Sequence, residues 1–132
     1  MAKTKIFISY DYTNDKHYKN LLLAWDAHKL FDFEFYDHSV DVSVNSTDAN
    51  YIKSVIKAEI NSAAHFLCII GKETHKSDWV KWEIDKAIEL KKKIIGVKID
   101  QSYTSPSNIM GIGASWAKSF TFEGIKNAIE TA

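Results

Sequence analysis

The chain has 132 residues, 45% of them hydrophobic and 26% charged, with 17 basic and 17 acidic side chains and no net charge. That length fits one domain able to bury roughly two-thirds of its unfolded surface. The neutral balance argues against general attraction to nucleic acid or an anionic membrane and does not oppose self-association. The lone cysteine, Cys68, excludes a disulfide within the chain and, inside an apolar run, reads as a buried strand residue.

Lys5–Ser9 is a short β-rich apolar run and the first expected strand. The residues before it lack the long apolar segment of a signal peptide, so a cytoplasmic location is the default. No apolar stretch approaches the ~20 residues of a membrane span. Thr13 or Asn14 can cap a helix running to about Leu30, with Tyr18, Leu21, Leu22 and Trp25 on one broad face. Phe33–Tyr36 reads as a second strand. The polar segment Asp37–Asn50 alternates Val40, Val42 and Val44 with polar residues, which fits either an edge strand or a loop.

Tyr51–Ala63 has helical period, and His65–Ile70 has the pattern of a central strand closed by Gly71. Ser77 or Asp78 caps a third helix to about Lys92, with Lys91, Lys92 and Lys93 placed to complement its dipole. Ile94–Ile99 is a further buried strand. Asp100–Lys118 lacks a period and contains Pro106, Gly111 and Gly113, as a functional loop or irregular helix would. Ser119–Phe122 is the expected last strand, before a terminal helix from Glu123. Strand–helix alternation implies a doubly wound, flavodoxin-like α/β fold: a parallel five-stranded sheet with helices on both faces. Ligands of such folds bind beyond the C-terminal strand ends.

The third helix raises the chemical question. At about 100° per residue, Val80, Ile84, Ala87, Ile88 and Leu90 form one apolar arc. Glu83 falls inside that arc, and burying an unpartnered carboxylate costs several kcal/mol. A buried hydrogen bond or ion pair accounts for it; so does a carboxylate that holds ribose hydroxyls and stabilises an oxocarbenium-like transition state. Other flavodoxin-like chemistries fit poorly. The turn after the first strand, Ser9-Tyr10-Asp11-Tyr12-Thr13-Asn14, has no glycine to cradle a flavin phosphate. Gly71 stands where a receiver would carry its phosphoacceptor aspartate. The five histidines show no metal-ligand spacing.

Phe7-Ile8-Ser9-Tyr10 resembles the first box of TIR domains, and Asp78-Trp79-Val80-Lys81-Trp82-Glu83-Ile84 resembles the Trp-x-x-x-Glu motif of NAD-cleaving TIR domains. The resemblance covers roughly residues 5 to 99. With its short length and the Lys93-Ile94-Ile95-Gly96-Val97 strand, the chain is most similar to the stand-alone TIR-like proteins of bacterial Thoeris-type antiphage systems. The Arg-Asp-x-x-Pro-Gly box of adaptor-type TIR domains is absent; Asp37-His38-Ser39 stands there.

The resemblance implies an NAD-cleaving enzyme with Glu83 as catalytic residue, NAD as substrate, and no cofactor or metal. It implies nicotinamide and a cyclic ADP-ribose-type signal as products, the signal acting on a separate effector. Ser9, Tyr10, Asp11, Asp37, His38, Ser77, Trp79 and Trp82 are the candidate substrate-binding residues, with Tyr10, Trp79 and Trp82 available to stack on rings. Core packing for Trp79 and turn capping for Asp11 are the competing roles. A non-catalytic TIR-like interaction module is the other function class open at this point.

Overall fold

The computed structural model describes residues 4–26, 30–36 and 43–132. Five parallel strands lie in the order β2-β1-β3-β4-β5: β1 is Thr4–Ser9, β2 Phe31–Phe35, β3 His65–Ile70, β4 Lys93–Lys98 and β5 Ser115–Ala117. This is the flavodoxin-like order, whose topological switch point lies between β1 and β3. The helices are α1 (Tyr12–Trp25), α2 (Ala49–Ser62), α3 (Asp78–Glu89) and α4 (Phe122–Thr131). Right-handed crossovers are the rule for such parallel strands, which places successive helices on both faces.

Two cores result. Ile6, Ile8 and Tyr10 of the first strand and its exit join Leu67 and Ile69, Ile95 and Val97 under Leu22 of α1 and Ile125, Ala128 and Ile129 of α4. On the other face Phe7, Phe66, Cys68 and Ile70 pack under Ile56 and Ile60 of α2 and Val80, Ile84 and Ala87 of α3. The strand period of two produces this division, since successive side chains take opposite faces. Five residues of β3, from Phe66 to Ile70, are fully buried, as its continuous apolar run predicts. The edges are protected differently: β2 carries Asp32 and Glu34, and β5 has only three residues.

Several boundaries differ from the sequence reading. Helix α1 starts at Tyr12 because Asp11, not Thr13 or Asn14, is its cap: the Asp11 carboxylate accepts the Thr13 amide at 3.2 Å. It ends at Trp25 rather than Leu30, because Asp26 turns its carboxylate to the amides of Leu30 (2.7 Å) and Phe31 (3.0 Å). Accordingly β2 begins at Phe31, two residues early. Helix α3 ends at Glu89, and Lys91 adopts a left-handed φ of 59°. The three lysines therefore lie past the helix; Lys92 instead donates to the Asn61 carbonyl in the last turn of α2, at 2.8 Å.

The last strand is Ser115–Ala117, not Ser119–Phe122. Trp116 pairs opposite Gly96, and a Cβ at Gly96 would come within 2.6 Å of the indole. The glycine makes room for the ring, a pairing that no period reveals. Thr121 caps α4 instead of extending a strand, its hydroxyl accepting the Gly124 amide at 3.1 Å. Asp37 to Val42, with the alternation at Val40 and Val42, lie outside the described residues; Val44 is buried.

Asp26 is 2% exposed and joins α1 to β2 through both carboxylate oxygens. Asp26→Ala is expected to lower unfolding free energy by about 2 kcal/mol, the scale for losing charge-assisted hydrogen bonds to part-buried amides. Urea denaturation reads this directly, and a loss below ~0.5 kcal/mol would show that the turn does not depend on this carboxylate.

Candidate functional site

Glu83 occupies the second turn of α3, the helix leaving β3. Ser77 starts that helix by accepting the Val80 amide at 3.2 Å. Val80, Glu83, Ile84 and Ala87 then form its buried stripe. Glu83 is 1% exposed, and its Oε1 accepts a 2.7 Å hydrogen bond from the hydroxyl of Ser9, itself buried at the end of β1. The bond joins residues 74 positions apart across the β1–β3 switch point. The two TIR-like boxes thus meet through one hydrogen bond. In this conformation Glu83 is closed off from solvent.

The other expected residues disperse around this pair. Tyr10 is 1% exposed and belongs to the core under α1 and α4, the opposite face from Glu83. Asp11 caps α1 and also accepts from the Asn14 side-chain amide at 2.7 Å. Ser77 caps α3. Trp79 and Trp82 flank the α3 core with their rings edge-on at 6.0 Å, and the ammonium groups of Lys53 and Lys86 each lie 5.7 Å from the Trp82 ring. Asp37 and His38 lie outside the described residues.

A second buried carboxylate escaped the sequence reading. Asp15 of α1 is 4% exposed and accepts a 3.0 Å bond from Thr74 Oγ1, which in turn accepts the Gly71 amide at 2.8 Å. A Cβ at Gly71 would run into the Asp15 carboxylate, so glycine is needed there for space. Burial, with the neighbouring Asp11 charge, pushes the Asp15 carboxyl from 3.8 to about 6, and the Thr74 bond works against that rise. Four residues further along α1, buried Lys19 sits over the Phe35 ring at 4.0 Å and the Tyr10 ring at 5.5 Å. Burial and nearby Lys16 lower its pKa. The available signal for both was helical spacing: Asp15 and Lys19 share a face with Leu22, at steps of four and three.

Burial pushes the Cys68 thiol up, and the charges of Glu83 and Asp15 add to it, which makes the thiolate an unsuitable nucleophile. The Glu59 carboxyl on α2 is likewise raised, by burial first, then Glu34, with Lys5 opposing and Glu83 contributing. Among the described residues no group of three His, Cys, Asp or Glu could hold a metal ion, and no helix is long and apolar enough to cross a membrane.

Fold and site together define a class: a doubly wound parallel sheet with a helix carboxylate turned onto the end of its first strand. The family model "Thoeris protein ThsB, TIR-like domain" matches residues 7–104, and the chain belongs to that family. A Bacillus cereus (strain MSX-D12) protein named "Putative cyclic ADP-D-ribose synthase ThsB1" is 31% identical over 78 residues, or 59% of this chain. The match spans 41% of that relative's length. Among solved structures, the Clostridium botulinum CMP N-glycosidase BcmB superposes with a TM-score of 0.63 at 14% identity, covering 96% of this chain and 99% of that one. The TIR domains of the activated Roq1 resistosome, which recognises the pathogen effector XopQ, give 0.54 at 15% identity, over 76% and 61% of the respective chains. At those identities the likeness concerns the fold.

The Asp15 shift has a definite sign. Between about pH 4 and 6 the folded chain holds a proton that the unfolded chain releases, so stability falls as pH rises through that window. The loss reaches about 3 kcal/mol, two pKa units at ~1.4 kcal/mol each. Asp15→Asn keeps an acceptor for Thr74 and removes the ionisation. The variant should be more stable than wild type at pH 7.5, with a shallower pH 4–6 slope in urea unfolding; an unchanged slope would refute this origin.

Proposed function

We propose that the protein cleaves NAD at the nicotinamide–ribose bond and converts the ADP-ribosyl part into a cyclic product that signals to a separate effector. The observation that carries this reading is the buried Ser9–Glu83 pair, set at the switch point of a chain from the ThsB TIR-like family. The name of the B. cereus relative supports the cyclic product.

Glu83 would hold the hydroxyls of the nicotinamide ribose and face the positive charge that grows on the sugar as the bond breaks. Nicotinamide departs neutral from a cationic ring, taking the bonding electron pair, so no strong general acid is required. A nitrogen of the adenine, or a ribose hydroxyl of the same molecule, then attacks the anomeric carbon. Excluding water favours that ring closure over hydrolysis. The charges of Glu83, Glu59 and Glu34, opposed by Lys5, make this side of the sheet favourable to a cationic centre. Ser9 fixes the carboxylate in one orientation. Admitting substrate has to uncover Glu83 and exchange the serine hydroxyl for those of the ribose. Trp79 and Trp82, edge-on to each other at the margin of α3, would stack on a ring of the substrate.

The closed position of Glu83 also supports a second reading, a non-catalytic assembly module in which the Ser9–Glu83 bond is structural. NAD incubation followed by chromatography of nicotinamide and cyclic products separates the two. Glu83→Gln, nearly isosteric, should reduce turnover by roughly 10²–10³-fold while the fold remains intact by circular dichroism. Ser9→Ala should cost roughly ten- to a hundredfold through loss of carboxylate orientation. Equal product formation by wild type and Glu83→Gln would sink the catalytic assignment.

A further inference from the structure

At the far side of the sheet, a cleft of about 340 Å³ is lined by Lys98, Gln101, Ser105, Met110, Trp116 and Lys118. We infer that this cleft is a binding site for a nucleoside diphosphate, with Lys98 and Lys118 taking the phosphates and the Trp116 indole stacking on the base.

Position supports it. Lys98 ends β4, and Lys118 follows β5 directly, so both ammonium groups lie at the strand ends where doubly wound folds bind ligands. Lys98 on β4 and Trp116 on β5 lie two and three strand spacings of ~4.8 Å from β1, and neither Ser9 nor Glu83 lines the cleft. The site stands whether or not Glu83 cleaves NAD.

The cleft has a rigid wall. Asn108 donates to the Lys81 carbonyl at 2.8 Å and to the Asp85 carboxylate at 2.9 Å, while Ile109 is fully buried in the α2–α3 core. These contacts fasten the segment before Met110 onto α3. Trp116 is seated on Gly96, where only a residue without Cβ leaves it room. The indole is therefore held in place rather than swinging from a surface loop, and a fixed aromatic plane is what a base requires.

The charges fit an anion. No acidic side chain is among the six lining residues. The nearest carboxylate in sequence, Asp100, accepts from the Ser102 amide at 2.8 Å and its hydroxyl at 2.6 Å and also feels the Lys98 charge, so it offsets part of that cation while Lys118 adds a second. Lys98 donates one hydrogen bond to the Gln101 carbonyl at 3.1 Å, which holds its ammonium group near the cleft and uses one of three donors. Two cations beside an indole select a ligand with both phosphate and aromatic parts, and the volume lies within the range of small-ligand sites. A nucleic acid strand is disfavoured by the zero net charge of the chain.

The test is calorimetric titration of the full chain with ADP, and separately with pyrophosphate, together with tryptophan fluorescence. Wild type should bind ADP, and Lys98→Gln/Lys118→Gln should weaken it by at least about tenfold. Trp116→Phe should abolish the ADP-dependent fluorescence change, with Trp25, Trp79 and Trp82 still present. Glu83→Gln should bind ADP as wild type does. Circular dichroism of each variant confirms folding. Absence of ADP binding at about 5 mM would overturn the proposal. So would equal affinity in the double-lysine variant, or pyrophosphate binding as tightly as ADP, which would leave an anion site that reads no base. Loss of NAD turnover in Glu83→Gln with ADP binding retained separates this site from the reaction assigned to that carboxylate.

Discussion

The 2.7 Å hydrogen bond between Ser9 and Glu83 is the constraint around which this molecule is arranged. A carboxylate brought into an apolar core without partners is strongly unfavourable, and the hydroxyl offsets part of that cost. The bond forms only if β1 and α3 are in register. That register requires β3 to pair directly beside β1 and α3 to start at its Ser77 cap. The parallel order β2-β1-β3-β4-β5 supplies both conditions by opening the sheet's switch point beside Ser9. The site is therefore built on the ends of rigid elements, which holds its geometry more firmly than loops would.

Polar groups accumulate at the same edge on both sides of β3. Glu83 approaches from the α3 face, while Asp15 comes from α1 and joins Thr74 and Gly71 where β3 ends. Cys68, inside β3, registers both charges in its raised thiol pKa. Lys19 adds a buried cation against Phe35 and Tyr10. A fold selected only for stability would fill these positions with apolar side chains, since buried charges contribute little net stability. Apart from Asp26, which fastens the α1–β2 turn, the buried charged side chains concentrate at the ligand edge, a distribution that supports the proposed site.

The strands and helices were legible where period decides structure. The run at His65–Ile70 and the arc of α3 through Val80, Ile84 and Ala87, though not Ile88, which is exposed, read correctly because a buried strand and an amphipathic helix each leave a pattern in one dimension. Glu83 was legible for the same reason: it interrupts an apolar arc, and an interruption is visible without knowing the partner. Asp15 was not, because α1 has a weakly segregated face and a carboxylate near a helix start reads first as a favourable dipole contact. Its partners, Thr74 and Gly71, are about 60 residues away and identified only by packing. The last strand was misplaced for a related reason. Three residues are too few to show alternation, and what fixes Trp116 is the empty space above Gly96.

Closure of Glu83 bears on how such a site can be both stable and reactive. In the closed form one carboxylate oxygen accepts from Ser9 and the group is shielded from water. On the proposed chemistry, the same shielding is what a cationic sugar intermediate needs to avoid hydrolysis. A ribose that displaces the serine hydroxyl replaces one hydrogen bond by others of similar kind, so opening the pair costs less than exposing a bare carboxylate to an apolar cleft would. A carboxylate already desolvated in the resting state, moreover, does not have to shed ordered water when charge develops beside it. On the proposed chemistry, Ser9 stands in for the substrate's hydroxyls, and the polar residue that looks anomalous in the apolar arc would be the one whose burial prepares the site.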